Sequence, residues 1–228
     1  MTKKAILTAS LLALGLVSAA LSQESPVPSA APTAGTAPPR NVRISFLPPP
    51  LEGTISLGIY DEWDQLVRIL HQEAELDEFT VGPDALITKW DGKNDDGQDL
   101  PAGKYQARGY LVGALKAEEI AGAGAPPGDW NGNATVQIKL MPNPLAKNER
   151  PRIELGAGFD DENSFLKTTD GLPLYTVSQK AQLVRIMITK NGETSVDVWQ
   201  DDGAAVTQTR VSNVDKMMAF DCGDFELK

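Results

Sequence analysis

Residues 90–105 (WDGKNDDGQDLPAGKY) contain several chain reversals in a short span, and they constrain the fold more than any other segment. The pairs Asp91-Gly92 and Asp96-Gly97 are typical of tight turns, because glycine adopts positive φ without a Cβ clash and aspartate hydrogen-bonds its own backbone. Pro101 restricts φ for a further reversal. Apolar and polar residues alternate on both sides of the segment, which is the period of a β-strand. We therefore expect two strands joined by an acidic turn.

The rest of the sequence also has strand periodicity. In the first half, strands are predicted near residues 42–46, 55–60, 66–70, 86–90 and 105–112, with a hairpin turn at 61–64. In the second half they are predicted near residues 135–140, 172–177, 183–188, 196–199 and 206–211. Asn191-Gly192 is a strong hairpin signal. Residues 72–79 suit either a helical turn or a loop. The predicted fold class is all-β: a β-sandwich followed by a second β-rich antiparallel module.

Changes in composition predict the domain organisation. Lys3 and Lys4 precede an apolar run that ends at a small-x-small site, so residues 1–22 are typical of a secretory signal peptide. Residues 23–40 are rich in Pro, Ala, Ser and Thr and are predicted to be a disordered linker. We expect a first β-sandwich at 41–115, a Gly/Ala/Pro linker at 116–130 and a second module at 131–228.

The cellular compartment is predicted from residues 1–22. A signal peptide predicts a periplasmic or extracellular protein. The apolar run is too short for a permanent membrane anchor, and no later stretch is apolar enough to cross a bilayer. With Cys222 as the single cysteine, no intramolecular disulfide can form. The formal net charge of −10 argues against nucleic acid as a partner, because phosphate backbones would be repelled.

Three groups of residues together resemble a known family. They are residues 55–61 (ISLGIYD), residues 66–70 (LVRIL), and the WDG, DDG and LPAGKY sequences of residues 90–105. In this order they resemble the FlgD-type immunoglobulin-like domain over residues 42–113. The resemblance implies a secreted bacterial β-sandwich that acts as an accessory module without catalytic residues. The sequence departs from the family where a small turn residue usually follows the Tyr-Asp pair, since Glu62 and Trp63 stand there.

Oxygen-bearing side chains are concentrated in the acidic turn. Carboxylate and amide oxygens are the ligands that Ca²⁺ prefers. The spacing does not fit an EF-hand loop, and turn formation alone accounts for the same residue types. Residues 160–163 (DDEN) form a second, weaker acidic cluster. We therefore expect no bound cofactor, and the alternative is Ca²⁺, for which the candidate ligands are Asp91, Asn94, Asp95, Asp96 and Asp99.

No pattern in the sequence selects a catalytic site. His71 is the single histidine, and no serine lies in a nucleophile-elbow motif. One histidine and one distant cysteine do not supply the usual ligands of zinc. Acidic residues are plentiful, but no spacing selects a carboxylate pair for glycoside hydrolysis. We therefore expect a protein that is not an enzyme.

The tryptophans are the candidate ligand-binding residues. Trp90 and Tyr105 are expected to face the core. Trp63 lies among acidic residues at a predicted hairpin tip, where it can stack on a sugar ring or anchor a protein partner. The alternative is that Trp63 folds back onto its own hairpin or onto the second module. Trp199 is a second candidate of the same kind. The sequence thus predicts an exported binding or scaffolding protein whose partner is an envelope protein or a polysaccharide; the alternative is a carbohydrate-binding protein that uses Trp63 and Trp199.

Overall fold

The computed structural model describes residues 40–122, 124–126, 128, 130, 134–145 and 150–228. They belong to one compact unit that extends to Lys228. The predicted signal peptide and nearly all of the predicted Pro-rich linker lie outside the described residues.

The described residues form antiparallel strands without an α-helix, which confirms the predicted all-β class. No helix among them has the length and hydropathy needed to cross a bilayer. In the first half the strands are β1 (Val42–Phe46), β2 (Thr54–Tyr60), β3 (Leu66–Ala74), β4 (Thr80–Val81), β5 (Leu86–Trp90), β6 (Gly103–Val112) and β7 (Lys116–Ile120). In the second half they are β8 (Val136–Lys139), β9 (Arg152–Phe159), β10 (Ser164–Thr168), β11 (Pro173–Ser178), β12 (Arg185–Asn191), β13 (Ser195–Asp201), β14 (Val206–Ser212) and β15 (Met217–Leu227).

The first β-sandwich consists of a β1–β5–β4 sheet and a β15–β6–β2–β3 sheet. Alternation along the strands directs one apolar face of each sheet into the space between them. The buried residues of this core are Ile44, Phe46, Ile55, Leu57, Ile59, Ala74, Phe79, Leu86, Trp90, Tyr105, Ala107, Leu111, Phe220 and Leu227.

The acidic turn crosses from one sheet of this sandwich to the other. It leaves β5 at Trp90 and reaches β6 near Tyr105, and these strands belong to opposite sheets. The two rings meet edge to face inside the core, with centroids 5.1 Å apart. The turn supplies a hydrogen-bond acceptor for the polar atom of each ring. Trp90 Nε1 donates to the Lys93 carbonyl, and Tyr105 Oη donates to the Pro101 carbonyl, both at 2.9 Å. The prediction that both aromatic residues face the core is confirmed.

The second sandwich consists of a β11–β10–β9–β8 sheet and a β12–β13–β14–β7 sheet. Its core also contains Tyr110 and Val112 from β6 and Met217 from β15. The remaining buried core residues are Val136, Ile138, Leu140, Ile153, Leu155, Leu166, Leu172, Leu174, Val177, Ile188, Val196, Val198, Val211 and Val214. The β15–β6–β2–β3 sheet therefore contributes apolar side chains to both cores.

Two strands cross the predicted domain boundaries. Lys116–Ile120, placed by the sequence in a linker, is strand β7 and pairs with β14. Met217–Leu227, placed in the second module, is β15 and pairs with β6 of the first sandwich. Val112 lies opposite Met217, and the Gly113 amide donates to the Lys216 carbonyl at 2.7 Å. One antiparallel ribbon thus continues from β6/β15 into β7/β14. The sequence left open whether the two modules share one core, and the predicted domain boundaries stay predictions.

Both predicted hairpins are confirmed. β2 and β3 flank the turn at 61–65, and β12 and β13 flank the turn that begins after Asn191. The segment predicted as a helical turn or a loop contains the 3₁₀ turn Leu76–Glu78, closed by a capping box between Glu75 and Glu78. Strands β4, β7, β9, β10 and β15 were not predicted. β7 is almost entirely polar, β9 contains two glycines, and β15 is interrupted by a bulge between Asp221 and Gly223.

A fragment comprising residues 41–115 tests the role of the ribbon. It lacks β15, so β6 loses its ladder partner and the first core loses Phe220 and Leu227. Because two large buried side chains contribute roughly 1.5–3 kcal/mol each, we expect no cooperative unfolding transition. Near-UV circular dichroism and urea titration measure this. Residues 40–228 serve as the folded reference.

A fused variant distinguishes loss of β15 from loss of the second sandwich. Asn213 Nδ2 lies 3.4 Å from the Ala114 carbonyl, so a short Gly/Ser linker can join residue 115 to residue 213. This fusion is expected to regain the near-UV signal of Trp90 packed on Tyr105. Cooperative unfolding of fragment 41–115 alone, with the stability of the longer chain, would contradict the role given to β15.

Candidate functional site at the tip of the β2–β3 hairpin

The turn at residues 61–65, called the β2–β3 tip below, has a fixed backbone. Asp61 Oδ1 accepts hydrogen bonds from the Trp63 amide at 3.0 Å and the Gln65 amide at 2.8 Å. The Asp61 amide donates to the Gln65 carbonyl at 3.0 Å and closes the loop. Asp64 has a φ of 60°, a left-handed conformation that aspartate tolerates better than most residues. One carboxylate thus organises the whole turn.

Trp63 is presented to solvent by this turn. Its side chain is 71% exposed, whereas the other three tryptophans are buried or half-buried. The predicted alternative, in which Trp63 folds back onto its hairpin, is not what the structure shows. An indole offers a large, rigid apolar surface with a single N–H donor, and its exposure forgoes the free energy of burial. The tip therefore carries an unpartnered aromatic group on an ordered backbone.

Arg108 links the tip to the β15–β6–β2–β3 sheet, which we call the central sheet. Its Nη1 lies 3.1 Å from Asp64 Oδ1, and its guanidinium carbon lies 3.7 Å from the centroid of the Tyr60 ring. The Tyr60 side chain is fully buried, and burial followed by the negative charge of Asp170 raises the pKa of its hydroxyl. Tyr60 is thus a neutral platform for the guanidinium. The sequence did not single out Arg108, because its approach to Asp64 depends on β6 pairing with β2.

Trp199, the second aromatic candidate, is a packing residue. It is 7% exposed, and its Nε1 donates to Thr189 Oγ1 at 3.1 Å across the β12–β13 pair. Its ring is not accessible to a ligand in this conformation. The structure therefore leaves Trp63 as the aromatic binding candidate.

The side chains of the acidic turn form hydrogen bonds to the backbone. Asp91 Oδ1 accepts from the Lys93 amide at 3.0 Å, and Asn94 Oδ1 accepts from the Gln98 amide at 2.8 Å. Gly92 and Gly97 have φ values of 77° and 75°, as predicted for the two turn pairs. Asp96 and Asp99 are exposed and make no side-chain hydrogen bond within the described residues.

Asp95 connects the acidic turn to the edge of the central sheet. Both of its carboxylate oxygens accept from the Ile69 amide, at 3.0 and 3.2 Å, and Arg68 Nη1 donates to the Asn94 carbonyl at 2.9 Å. Ile69 lies in β3, an edge strand, so this amide has no ladder partner on that side. The turn therefore covers a sheet edge that would otherwise present free backbone groups.

The acidic side chains of the two clusters do not converge on one point in the part of the chain that the structure describes. Among the described residues, no group of three or more His, Cys, Asp or Glu side chains is placed to hold a metal ion. In the second cluster, Asp160 Oδ1 accepts from the amides of Glu162 and Asn163 at 2.8 and 2.7 Å, and these hydrogen bonds lower the pKa of the Asp160 carboxyl. Calcium binding by Asp91, Asn94, Asp95, Asp96 and Asp99 stays a prediction.

His71 and Cys222 are both partly shielded. His71 Nε2 lies 2.7 Å from Thr88 Oγ1, and its ring centroid is 4.5 Å from that of Phe79. Burial lowers the pKa of the His71 imidazole below 6.5, against the opposing effect of Glu78. Burial, reinforced by Asp221, raises the pKa of the Cys222 thiol, so the thiolate is disfavoured. Within the described residues, His71 has the Thr88 hydroxyl as its side-chain hydrogen-bond partner, and Cys222 forms no disulfide.

Comparison with protein-family models, with curated proteins and with solved structures gives no match to this chain. The assignment of a function therefore rests on the geometry described above.

Substitution of Asp95 tests whether the acidic turn supports the edge of β3. Asp95→Ala leaves the Ile69 amide without its acceptor, and we expect the free energy of unfolding to fall by about 1–2 kcal/mol. Asp96→Ala removes a carboxylate of the same turn that makes no side-chain bond, and it should change stability by less than about 0.5 kcal/mol. Urea titration measures both. Equal losses from the two variants would show that Asp95 does not support the edge.

The pKa of His71 can be measured directly, since it is the only histidine. We expect a ¹H NMR titration to give a pKa below 6.5, the ordinary value. The unfolded chain then binds a proton that the folded chain does not, so the free energy of unfolding falls as the pH drops below 6.5, down to the folded pKa. His71→Gln should remove this part of the pH dependence. A pKa at or above 6.5 would contradict the burial of the ring.

Proposed function

We propose that this protein is a non-catalytic binding or scaffolding protein that contacts its partner through the β2–β3 tip. The observation that carries the proposal is the 71% exposure of Trp63 on a turn whose backbone is held by Asp61. Because the backbone is already ordered, burial of the indole in a partner costs little additional conformational entropy. Tryptophan is also among the residues that contribute most to the binding energy of protein interfaces.

The sequence supports the same role. The resemblance of residues 42–113 to the FlgD-type immunoglobulin-like domain suggests an accessory module, and the signal-peptide pattern of residues 1–22 suggests export to the cell envelope or beyond. A Pro-rich segment at 23–40 would give the folded part reach from an attachment point. An envelope or extracellular protein is the partner that we propose first.

A carbohydrate partner is the second candidate. The tip places the exposed side chains of Asp64 and Glu62 on either side of Trp63 in the chain. An aromatic face with neighbouring carboxylates provides stacking for a sugar ring and acceptors for its hydroxyl groups. With Trp199 buried, this function would depend on Trp63 alone.

The proposal predicts that Trp63→Ala weakens partner binding without affecting the fold. Immobilised residues 23–228 would be exposed to envelope extract of the source cell and, separately, to isolated cell-wall polysaccharide. We expect retention of a specific protein and a loss of affinity of at least about tenfold in Trp63→Ala, in line with an interface anchor. Affinity is then measured with the purified partner by calorimetry.

Val81→Ala is the matched control, because Val81 is also strongly exposed and lies in the first sandwich away from the tip. It should bind like the unchanged chain. Retention on polysaccharide, lost in Trp63→Ala, would assign the second candidate function instead. Equal affinities of Trp63→Ala and the unchanged chain would exclude the tip as the binding site, and turnover of any substrate would contradict a non-catalytic role.

A further inference from the structure

Strands β8 and β12 form a seam between the two sheets of the second sandwich. Each is an edge strand, with a ladder partner on one side only within the described residues. The strands lie side by side, since Lys190 Nζ on β12 donates to the Gln137 carbonyl on β8 at 3.2 Å. The Gln137 carbonyl therefore faces the seam and takes a side-chain donor there.

A furrow follows this seam, and we call it the β8–β12 furrow. Its middle section has a volume of about 390 Å³ and is lined by Gln137, Ile138, Lys139, Arg152, Lys190 and Glu193. A section of about 260 Å³ shares Lys139 and Glu193 with it and continues toward Met141 and Asp215. A third section of about 300 Å³ is lined by Thr135, Ile188 and Lys167 among others, and it shares no lining residue with the middle section. The sections span residues 134–142, which is about 25 Å of extended chain.

The middle section of the furrow carries three cations and one carboxylate, that of Glu193, on a protein with a net charge of −10. Lys139 and Arg152 are exposed and directly opposite each other on β8 and β9, an arrangement of like charges that destabilises a sheet. Lys190 joins them in the middle section. None of the three forms an ion pair within the described residues. Within the described residues the Gln137 carbonyl accepts a hydrogen bond from Lys190, but no carboxylate pairs with these cations, and an anionic ligand would neutralise them.

The backbone and the lining side chains indicate what kind of anion fits. Edge strands hydrogen-bond an added extended peptide through their free amide and carbonyl groups. No aromatic side chain lines the three sections, so the stacking surface on which sugar rings commonly rest is missing from the described lining. The excess of acidic residues elsewhere on the chain disfavours long-range attraction of a large polyanion. A short acidic peptide can form these backbone hydrogen bonds, needs no aromatic surface, and is much smaller than a large polyanion.

We propose that the β8–β12 furrow binds an extended acidic peptide segment of a partner protein. The peptide adds to the edge of β12 by backbone hydrogen bonds and places alternate carboxylates near Lys139, Arg152 and Lys190. This surface belongs to the second sandwich and does not depend on the function assigned to Trp63. Sequence patterns did not predict this surface, because the pairing of Lys139 with Arg152 requires β9, and the two glycines of β9 interrupt its strand pattern.

A defined probe tests the proposal. A fluorescein-labelled peptide of about eight residues with alternating Glu and Val would be titrated with residues 23–228 and followed by anisotropy. We expect saturable binding that weakens about tenfold in the double variant Lys139→Gln/Lys190→Gln. The control is Lys89→Gln/Lys104→Gln, which removes two exposed strand cations of the first sandwich and the same net charge. It should bind within about twofold of the unchanged chain.

Three further measurements identify the chemical class of the ligand. N-methylation of alternate residues of the acidic peptide should abolish binding, since it removes backbone donors. The corresponding Lys/Val peptide should not bind. An oligogalacturonate of similar length and charge should not compete. Failure of the acidic peptide to bind, equal weakening in the two double variants, or competition by oligogalacturonate would each overturn the proposal. Trp63→Ala should bind the probe unchanged, which separates this result from the outcome at the tip.

Discussion

The antiparallel ribbon formed by β6/β15 and β7/β14 is the feature on which the rest of the fold depends. Its ladder runs from Gly103 opposite Leu227 to Ile120 opposite Gln208, and it passes from the first sandwich to the second near Gly113. Because the partner strands are about a hundred residues apart, the ribbon closes long loops and is entropically costly to form. The burial of the central sheet on both faces offsets that cost. Neither core is complete without the ribbon.

Local polar groups then protect the edges that the sheets leave open. Asp95 covers the Ile69 amide at the edge of β3, and the carboxylate of Asp61 closes the turn that follows β2. In both places a carboxylate, a group that also suits a metal ion, accepts hydrogen bonds from backbone amides that would otherwise be free. Two features of the surface are not explained by such local satisfaction. They are the exposed indole of Trp63 and the cations of the β8–β12 furrow. Both groups can contact a partner, because contacts within the folded chain do not fully satisfy them.

Sequence patterns predicted the parts of the fold that depend on near neighbours. The turn pairs at Asp91-Gly92 and Asp96-Gly97, the two hairpins and the inward direction of Trp90 all follow from φ preferences and from the two-residue period of a strand. The candidate site was predicted in part. Trp63 lies at an exposed tip as its acidic neighbours suggested, whereas Trp199, with a similar local sequence, is buried. A local pattern does not reveal which face of a strand a neighbouring element will cover.

The sequence by itself thus determined an all-β chain, the position of its tight turns and the aromatic residue at the β2–β3 tip, because each depends on interactions over a few residues. The tertiary structure alone decided that β15 completes the first sandwich, that the acidic turn connects opposite sheets and that Lys139 faces Arg152. These features depend on register between distant strands. Register is selected by the burial of whole faces rather than by any short segment, so it is settled only when both cores assemble.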